Sequence, residues 1–243
     1  MIGMVLAAGA GRRLGSLTSD LPKTLLTVDG DRTILDVALS NLSAVDIRDV
    51  VVVVGFAAHR VRERAAHLES RHGVRIELVV NDRAEEWNNA YSLWVARHAF
   101  GEGVLLINGD TVHPVSVEET LLSGRGPDLL LAVDAEKPLG PEQMKVLLDG
   151  DGRLRRINKA IEPAAAHGEY IGVTLIEPSA AEPLADALEA TWRRDPSLYY
   201  EDGYQELVDR GGVVGSAEIG ALDWIEVDDD ADLAIARELQ CRS

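Results

Sequence analysis

Residues 6–14 read Leu-Ala-Ala-Gly-Ala-Gly-Arg-Arg-Leu and follow an apolar run directly. Small residues at such a place let backbone N–H groups approach a ligand that a Cβ would hold off, and loops of this kind cradle phosphates. The spacing is not that of a dinucleotide-binding turn, because Leu14 stands where the third glycine of G-x-G-x-x-G belongs, and there is no P-loop pattern. Arg12, Arg13 and Lys23 against Asp20 alone give residues 1–25 a side-chain charge of 3 − 1 = +2, in a chain whose net charge is −17. Such a local reversal of sign suits a polyphosphate. Two acids stand ready to serve the same ligand: Asp110 ends Asn108-Gly109-Asp110 after the apolar residues 104–107, and Asp228 ends Trp224-Ile225-Glu226-Val227-Asp228. Each falls at the expected C-terminal edge of a strand, where ligands bind in open α/β sheets. Carboxylates are hard ligands for Mg²⁺, which offsets charge during transfer at phosphorus. Asp228, Asp229 and Asp230 also precede a helix, so one of them is expected to cap it; Asp229 is assigned the cap and Asp228 the metal.

Residues 81–94 contain Asn81, the pair Asn88-Asn89, Tyr91 and Ser92. Asparagine amides can cap a helix or read a pyrimidine edge, since each offers a donor and an acceptor, and the residues alone leave both roles open. Aromatics cluster in this segment (Trp87, Tyr91, Trp94) and in residues 199–204 (Tyr199, Tyr200, Tyr204), with Tyr170 and Trp224 elsewhere. Aromatic faces with carboxylates hold quaternary ammonium groups, so Tyr199, Tyr200, Glu201 and Asp202 could accept a cationic head group. Glu169, Glu201 and Asp202 could equally accept hydrogen bonds from a polyol. Core packing is the competing role for most of these rings.

The run LAAGAGRRLGSLTSDLPKTLL resembles the signature of nucleotidyltransferases that couple a nucleoside triphosphate to a phosphorylated sugar or alcohol, with Ser16 in place of the usual proline. WNNAYSL at residues 87–93 resembles the element found in cytidylyltransferases acting on phosphocholine and inositol phosphate. The resemblance extends over nearly the whole chain. It implies a Mg²⁺-dependent enzyme in which a phosphate oxygen of a small phosphorylated alcohol, or a related phosphonate, attacks the α-phosphorus of CTP and pyrophosphate leaves. Arg13 would bind the departing phosphates, Lys23 the reacting ones, and Asp110 with Asp228 the metal. Leu6, Ala7, Ala8, Gly9, Gly11, Arg12 and Gly109 would form the nucleotide loop, with Asn81, Asn88 and Ser92 on base and ribose. Lys159, in Ile-Asn-Lys-Ala, resembles the lysine that grips the acceptor phosphate, with Lys145 as its competitor. Gly172, in YIGVTL, resembles the glycine lining the acceptor pocket, where Tyr91, Glu169, Tyr170, Tyr200, Glu201 and Asp202 are expected to join it. The rival readings are a sugar-1-phosphate nucleotidyltransferase using UTP or dTTP and a non-catalytic nucleotide sensor.

These side chains need a scaffold, and the pattern supplies one. Apolar runs at 2–7, 50–54, 76–80 and 103–107 read as buried parallel strands, alternating with helical stripes such as Leu35, Ala38, Leu39 and Leu42, which Thr33 and Asp36 are placed to cap. Beyond residue 140 a hairpin is expected at 144–149 and 153–157, a strand at 169–177, helices at 179–193 and 202–210, a short strand at 224–227 and a closing helix from 229. The fold expected is α/β: a Rossmann-like, mixed, mostly parallel sheet flanked by helices. It would form a single domain over residues 1–243, with a nucleotide half (1–115) and an acceptor half (116–243).

At 46% hydrophobic and 27% charged, the 243 residues can fill such a core. A pI near 4.7 disfavours nucleic-acid and anionic-membrane partners. The longest apolar run, residues 50–58, is half a bilayer span. Cations follow rather than precede the first apolar stretch, so a cytoplasmic location is expected. The single cysteine, Cys241, can make no internal disulfide. A homo-oligomer remains open from sequence.

Overall fold

The structure, a computed structural model, describes residues 1–240; Cys241 lies outside the described residues. The chain runs β1 (Ile2–Ala7), β2 (Thr27–Asp29), β3 (Arg32–Thr33), α1 (Ile34–Ala44), β4 (Asp49–Val54), α2 (Ala58–His72), β5 (Arg75–Val80), α3 (Asn89–Val95), β6 (Val104–Asn108), β7 (Thr111–Val112), α4 (Ser116–Ser123), β8 (Leu129–Asp134), β9 (Lys145–Leu148), β10 (Leu154–Asn158), β11 (Gly168–Ile176), α5 (Ala181–Arg194), α6 (Tyr200–Asp209), β12 (Val214–Glu218), β13 (Ile225–Glu226) and α7 (Asp230–Gln240). Nine strands form the main sheet in the order β10-β9-β11-β6-β1-β4-β5, with β8 beside β11 and β12 beside β8. Seven of the nine run one way; β11 and β10 oppose them.

Because successive side chains on a strand face opposite sides, the valine and leucine runs feed two cores at once. Val5, Val50, Val52, Leu105 and Ile107 pack under α1, α2 and α4, whereas Met4, Val51, Val53, Leu106 and Leu131 pack under α3, α5 and α6. The capping box at α1 forms as expected: Asp36 N–H donates to Thr33 Oγ1 at 3.2 Å and Thr33 N–H to Asp36 Oδ2 at 2.9 Å.

Two strands of the main sheet lie outside the expected set. The run of β8, Leu-Leu-Leu-Ala-Val-Asp, is apolar almost throughout and carries no period that separates a buried strand from a buried helix. β12, Val-Gly-Ser-Ala-Glu, is poor in strand formers and is extended because it pairs with β8 along its whole length. Helix α6 begins two residues before the expected position, since Tyr199 N–H donates to Asp202 Oδ2 at 2.9 Å and starts the turn earlier.

The directions of the strands decide where chemistry can occur. β1 and β6 lie side by side in parallel, so the glycine loop after Ala7 and the Asn108-Gly109-Asp110 turn open at the same edge of the sheet. β11 is antiparallel to β6, so its N-terminal residues 168–172 come to that edge too.

Candidate active site

A cavity of about 360 Å³ occupies this edge, bounded by the glycine loop on one part of its wall and by β11, α6 and the end of β10 on another. Lys23 lies at its base. Its Nζ stands 2.8 Å from Asp110 Oδ2 and 3.1 Å from Asp228 Oδ1, and Arg13 reaches Asp228 Oδ2 at 3.1 Å. Burial pulls the Lys23 pKa down, but the two carboxylates outweigh it and hold the ammonium above its ordinary value.

Asp110 and Asp228 are 118 positions apart (228 − 110), and a two-strand ladder brings them together. β7 pairs with β13, matching Glu226 to Thr111, and Val227 N–H donates to the Asp110 carbonyl at 2.9 Å. The aspartate run divides its work as the sequence suggests: Asp229 Oδ1 accepts from the N–H groups of Ala231 and Asp232, capping α7, while the Asp228 carboxylate faces Lys23. Asp232 reciprocates by accepting from the N–H groups of Asp228 and Asp229.

A third acid, Glu226, joins them, beyond the pair that the motifs single out. Carboxylate oxygens of Asp110, Glu226 and Asp228 all lie within 4.8 Å of one another. Alternation along a strand carries the signal that finds it, since Glu226 is two residues from Asp228 and so shares its face. The Glu226 side chain opens to the cavity yet is crowded by protein; lost hydration, followed by repulsion from Asp110 and Asp228, pushes its pKa up to about 8. Three hard oxygen donors with too little positive charge among them suit a divalent cation, so the residues fit Mg²⁺.

Of the residues singled out in the sequence, Gly9, Gly11, Arg12, Arg13, Lys23 and Asn88 line the cavity from the first half of the chain, and Lys159, Tyr170, Gly172 and Glu201 from the second. Asn89 and Asn108 line it as well, in addition to the residues expected. Lys159 prevails over Lys145. Lys145 is fully buried, its Nζ donating to the carbonyls of Gly140, Pro141 and Gln143 at 2.9, 3.1 and 3.0 Å, so it holds a loop in shape rather than facing a ligand.

Other expected residues sit behind the wall. Leu6 and Ala7 finish β1, Ala8 is buried, and Gly109 packs where a Cβ would come within 2.5 Å of the Leu6 carbonyl oxygen; their role is to let two strand ends approach. Asn81 and Ser92 are buried against each other, Nδ2 donating to Oγ at 2.8 Å, and brace the segment that carries Asn88. Asn88 uses Oδ1 to cap Asn89 N–H and Nδ2 to hold the Ser197 carbonyl. Tyr91 packs with Trp87, Trp94 and Trp192, away from the cavity. Tyr200 is wholly buried, and Asp202 is spent on the start of α6. Glu169 lines an adjoining chamber of about 190 Å³ with Lys137 and Trp224; lost hydration, only partly offset by Lys137, lifts its pKa to about 7.

Glu201 keeps one oxygen without an answer in the protein. It lies in the first turn of α6 on the cavity wall, and its buried Oε2 has no hydrogen-bond partner among the described residues. Burial is the main reason that its pKa rises to about 8.

Comparison with known proteins agrees with this geometry. The profile of the MobA-like NTP transferase domain matches residues 3–195. A CMP-5'-(3-aminopropyl)phosphonate synthase of Streptomyces rubellomurinus is 36% identical over 94% of this chain and 37% of its own length. A choline-phosphate cytidylyltransferase of Streptococcus pneumoniae is 30% identical over 44% of this chain and 43% of its own. The matched stretches therefore make up less than half of the length of each of these two relatives. Among solved structures, an inositol-1-phosphate CTP transferase from T. maritima superposes with a TM-score of 0.81 at 24% identity, covering 98% of this chain and 96% of that one, which establishes the shared Rossmann-like fold. With the profile matching most of its length over the glycine loop, Lys23 and Asp110, the chain belongs to the MobA-like NTP transferase family.

Proposed function

We propose that this chain transfers CMP from CTP to the phosphate or phosphonate of a small acceptor that carries a cationic amine, releasing pyrophosphate. The observation that carries this reading is that the cavity holding Lys23 between Asp110 and Asp228 is also lined by Glu201, a buried carboxylate whose Oε2 has no hydrogen-bond partner among the described residues. The first group is built for a triphosphate and the second for a positive charge. The names of the phosphonate and choline-phosphate relatives support the same acceptor class.

Asp110, Asp228 and Glu226 would hold Mg²⁺, which supplies neutralisation of charge on the triphosphate. The chain's own residues do the rest by position and charge. Lys23, already fixed by two carboxylates, offers a cation at the reacting phosphates without reorganising. Arg12 and Arg13 are exposed on the loop and can move onto the leaving pyrophosphate. Lys159 holds the acceptor's phosphate or phosphonate, whose anionic oxygen is itself the nucleophile, so no general base is needed. Glu201 accepts the acceptor's amine; the Tyr199 ring on the same wall faces the Lys159 ammonium, which lies 5.4 Å from the ring centroid.

A pyrophosphate-release grid tests this: five nucleotides against aminoalkylphosphonates, phosphocholine, inositol 1-phosphate and glucose 1-phosphate, with Mg²⁺. The expected result is turnover with CTP and the cationic acceptors. Preference for UTP or dTTP with glucose 1-phosphate would replace the reading by that of a sugar-phosphate enzyme, and binding without turnover by that of a nucleotide sensor.

A further inference from the structure

Asn108 closes β6, two residues before Asp110, and its side chain lines the cavity. We propose that its amide N–H group binds a non-bridging oxygen of the acceptor's phosphate or phosphonate, and that the buried Tyr200 is the positioning residue that points it there. This rests on the transfer reaction proposed above.

Three observations converge on that amide. The first is its orientation. Tyr200 O–H donates to Asn108 Oδ1 at 2.9 Å. A carbonyl oxygen can only accept, so this bond turns Nδ2 the other way, and Nδ2 has no partner among the described residues. The second is what stands behind Tyr200. Its hydroxyl lies 3.1 Å from that of Tyr170, which lies 2.6 Å from Thr174 Oγ1, all of them buried. Each hydroxyl has one proton. Tyr200 is placed as donor to both Asn108 Oδ1 at 2.9 Å and the Tyr170 hydroxyl oxygen at 3.1 Å, and its single proton goes to the shorter contact, the amide oxygen. The reversed amide would present Oδ1 to an anionic ligand.

The third observation is space. Gly172 has φ +83°, and a Cβ there would come within 2.5 Å of Asn108 Nδ2. The glycine expected to line the acceptor pocket is thus the residue that makes room for the amide. Gly172, Tyr170 and Tyr200 belong to β11 and α6, which also carry Glu201, and this places Asn108 with the acceptor rather than the nucleotide. A neutral donor suits the position, because the phosphate or phosphonate already meets Lys159 and further positive charge would compete for the carboxylates around Lys23.

The test compares Asn108→Ala, Asn108→Asp and Tyr200→Phe with the wild type. A hydrogen bond to an ionised oxygen implies a rise in acceptor KM of about 10- to 100-fold for Asn108→Ala. Asn108→Asp keeps an acceptor for Tyr200 but faces the ligand with an anion, so its loss should exceed that of alanine. In both, the KM for CTP should stay within about twofold. Tyr200→Phe should raise acceptor KM by itself and add nothing in the Asn108→Ala background, a non-additivity that a packing role would not produce. A rise in the KM for CTP instead, or additive effects of the two changes, would overturn the proposal. The Asn108 side-chain amide resonance, identified by its loss in Asn108→Ala, gives a readout independent of turnover. It should shift when 2-aminoethylphosphonate is added to wild type with α,β-methylene CTP. An unmoved resonance overturns the contact, whereas a shift with no turnover overturns only the transfer reaction.

Discussion

Replacing Glu201 by glutamine should change how acceptor affinity depends on pH, and the structure sets the size of the effect. Burial lifts the Glu201 pKa to about 8, so the carboxyl is protonated at neutral pH. An ammonium group on the acceptor needs the ionised form, and binding must therefore expel a proton. The cost is a factor of 1 + 10^(8 − pH), which is about 11 at pH 7, about 100 at pH 6 and nearly 1 above pH 9. Acceptor KM should accordingly fall about tenfold per pH unit as pH rises from 6 towards 8 and then level off. The acceptor's own phosphonate titrates in this range, and Glu201→Gln separates the two contributions. The variant retains the acceptor's titration and loses that of the protein, while binding more weakly above pH 9, where the charge is absent. Steady-state pyrophosphate release with an aminoalkylphosphonate from pH 6 to 9.5 measures it. Identical profiles for wild type and Glu201→Gln would refute the argument, as would a variant that binds the cationic acceptor as tightly as wild type at high pH.

Lys23→Met and Asp110→Asn should each lower turnover by about 10³-fold or more with the circular dichroism spectrum unchanged, since each removes charge made to face the reacting phosphates; chelation of Mg²⁺ should stop wild-type turnover, and adding it back should restore it. Gly172→Ala forces a side chain into φ +83° and against Asn108, so it should cost about 1–3 kcal/mol in chemical denaturation and raise acceptor KM. Glu118 lies fully buried beside His113 and Asn41, and lost hydration lifts its pKa from the ordinary value to about 8. Between about pH 4.5 and 8 the folded protein holds a proton there that the unfolded chain does not, so this group's contribution to stability falls as pH rises through that window. Glu118→Gln should therefore gain stability relative to wild type, by about 1.4 kcal/mol per pH unit at most, in urea titrations between pH 5 and 8.

Much of this site is legible in the sequence, and the readable part is local. The glycine loop, Arg12, Arg13 and Lys23 lie within one short stretch and follow a strand whose apolar run identifies it. The capping of α1 by Thr33 and Asp36 and of α7 by Asp229 can likewise be read, because a cap and the N–H groups it serves are at most three residues apart.

What depends on distant pairing is not readable. Lys23 and Asp228 meet across 205 positions because β7 and β13 form a ladder; β13 falls inside the strand expected at 224–227, whereas the two-residue β7 leaves no periodic mark. β8 and β12 escape a sequence reading for a related reason: one is apolar without period and the other is extended by its partner. Side-chain fate needs the tertiary structure too. The sequence favours Lys159 and keeps Lys145 as its competitor, and only the three carbonyls around Lys145 show that it faces away from the cavity. Tyr199, Tyr200, Glu201 and Asp202 adjoin one another in sequence, yet helical rotation sends Tyr200 into the core, Asp202 to the helix start and Glu201 to the cavity. By itself the sequence determined the glycine loop and its three cations, because neighbours in the chain build them. The folded chain decided which acids converge and which ring, amide and carboxylate line the cavity, because those choices depend on what packs behind each side chain.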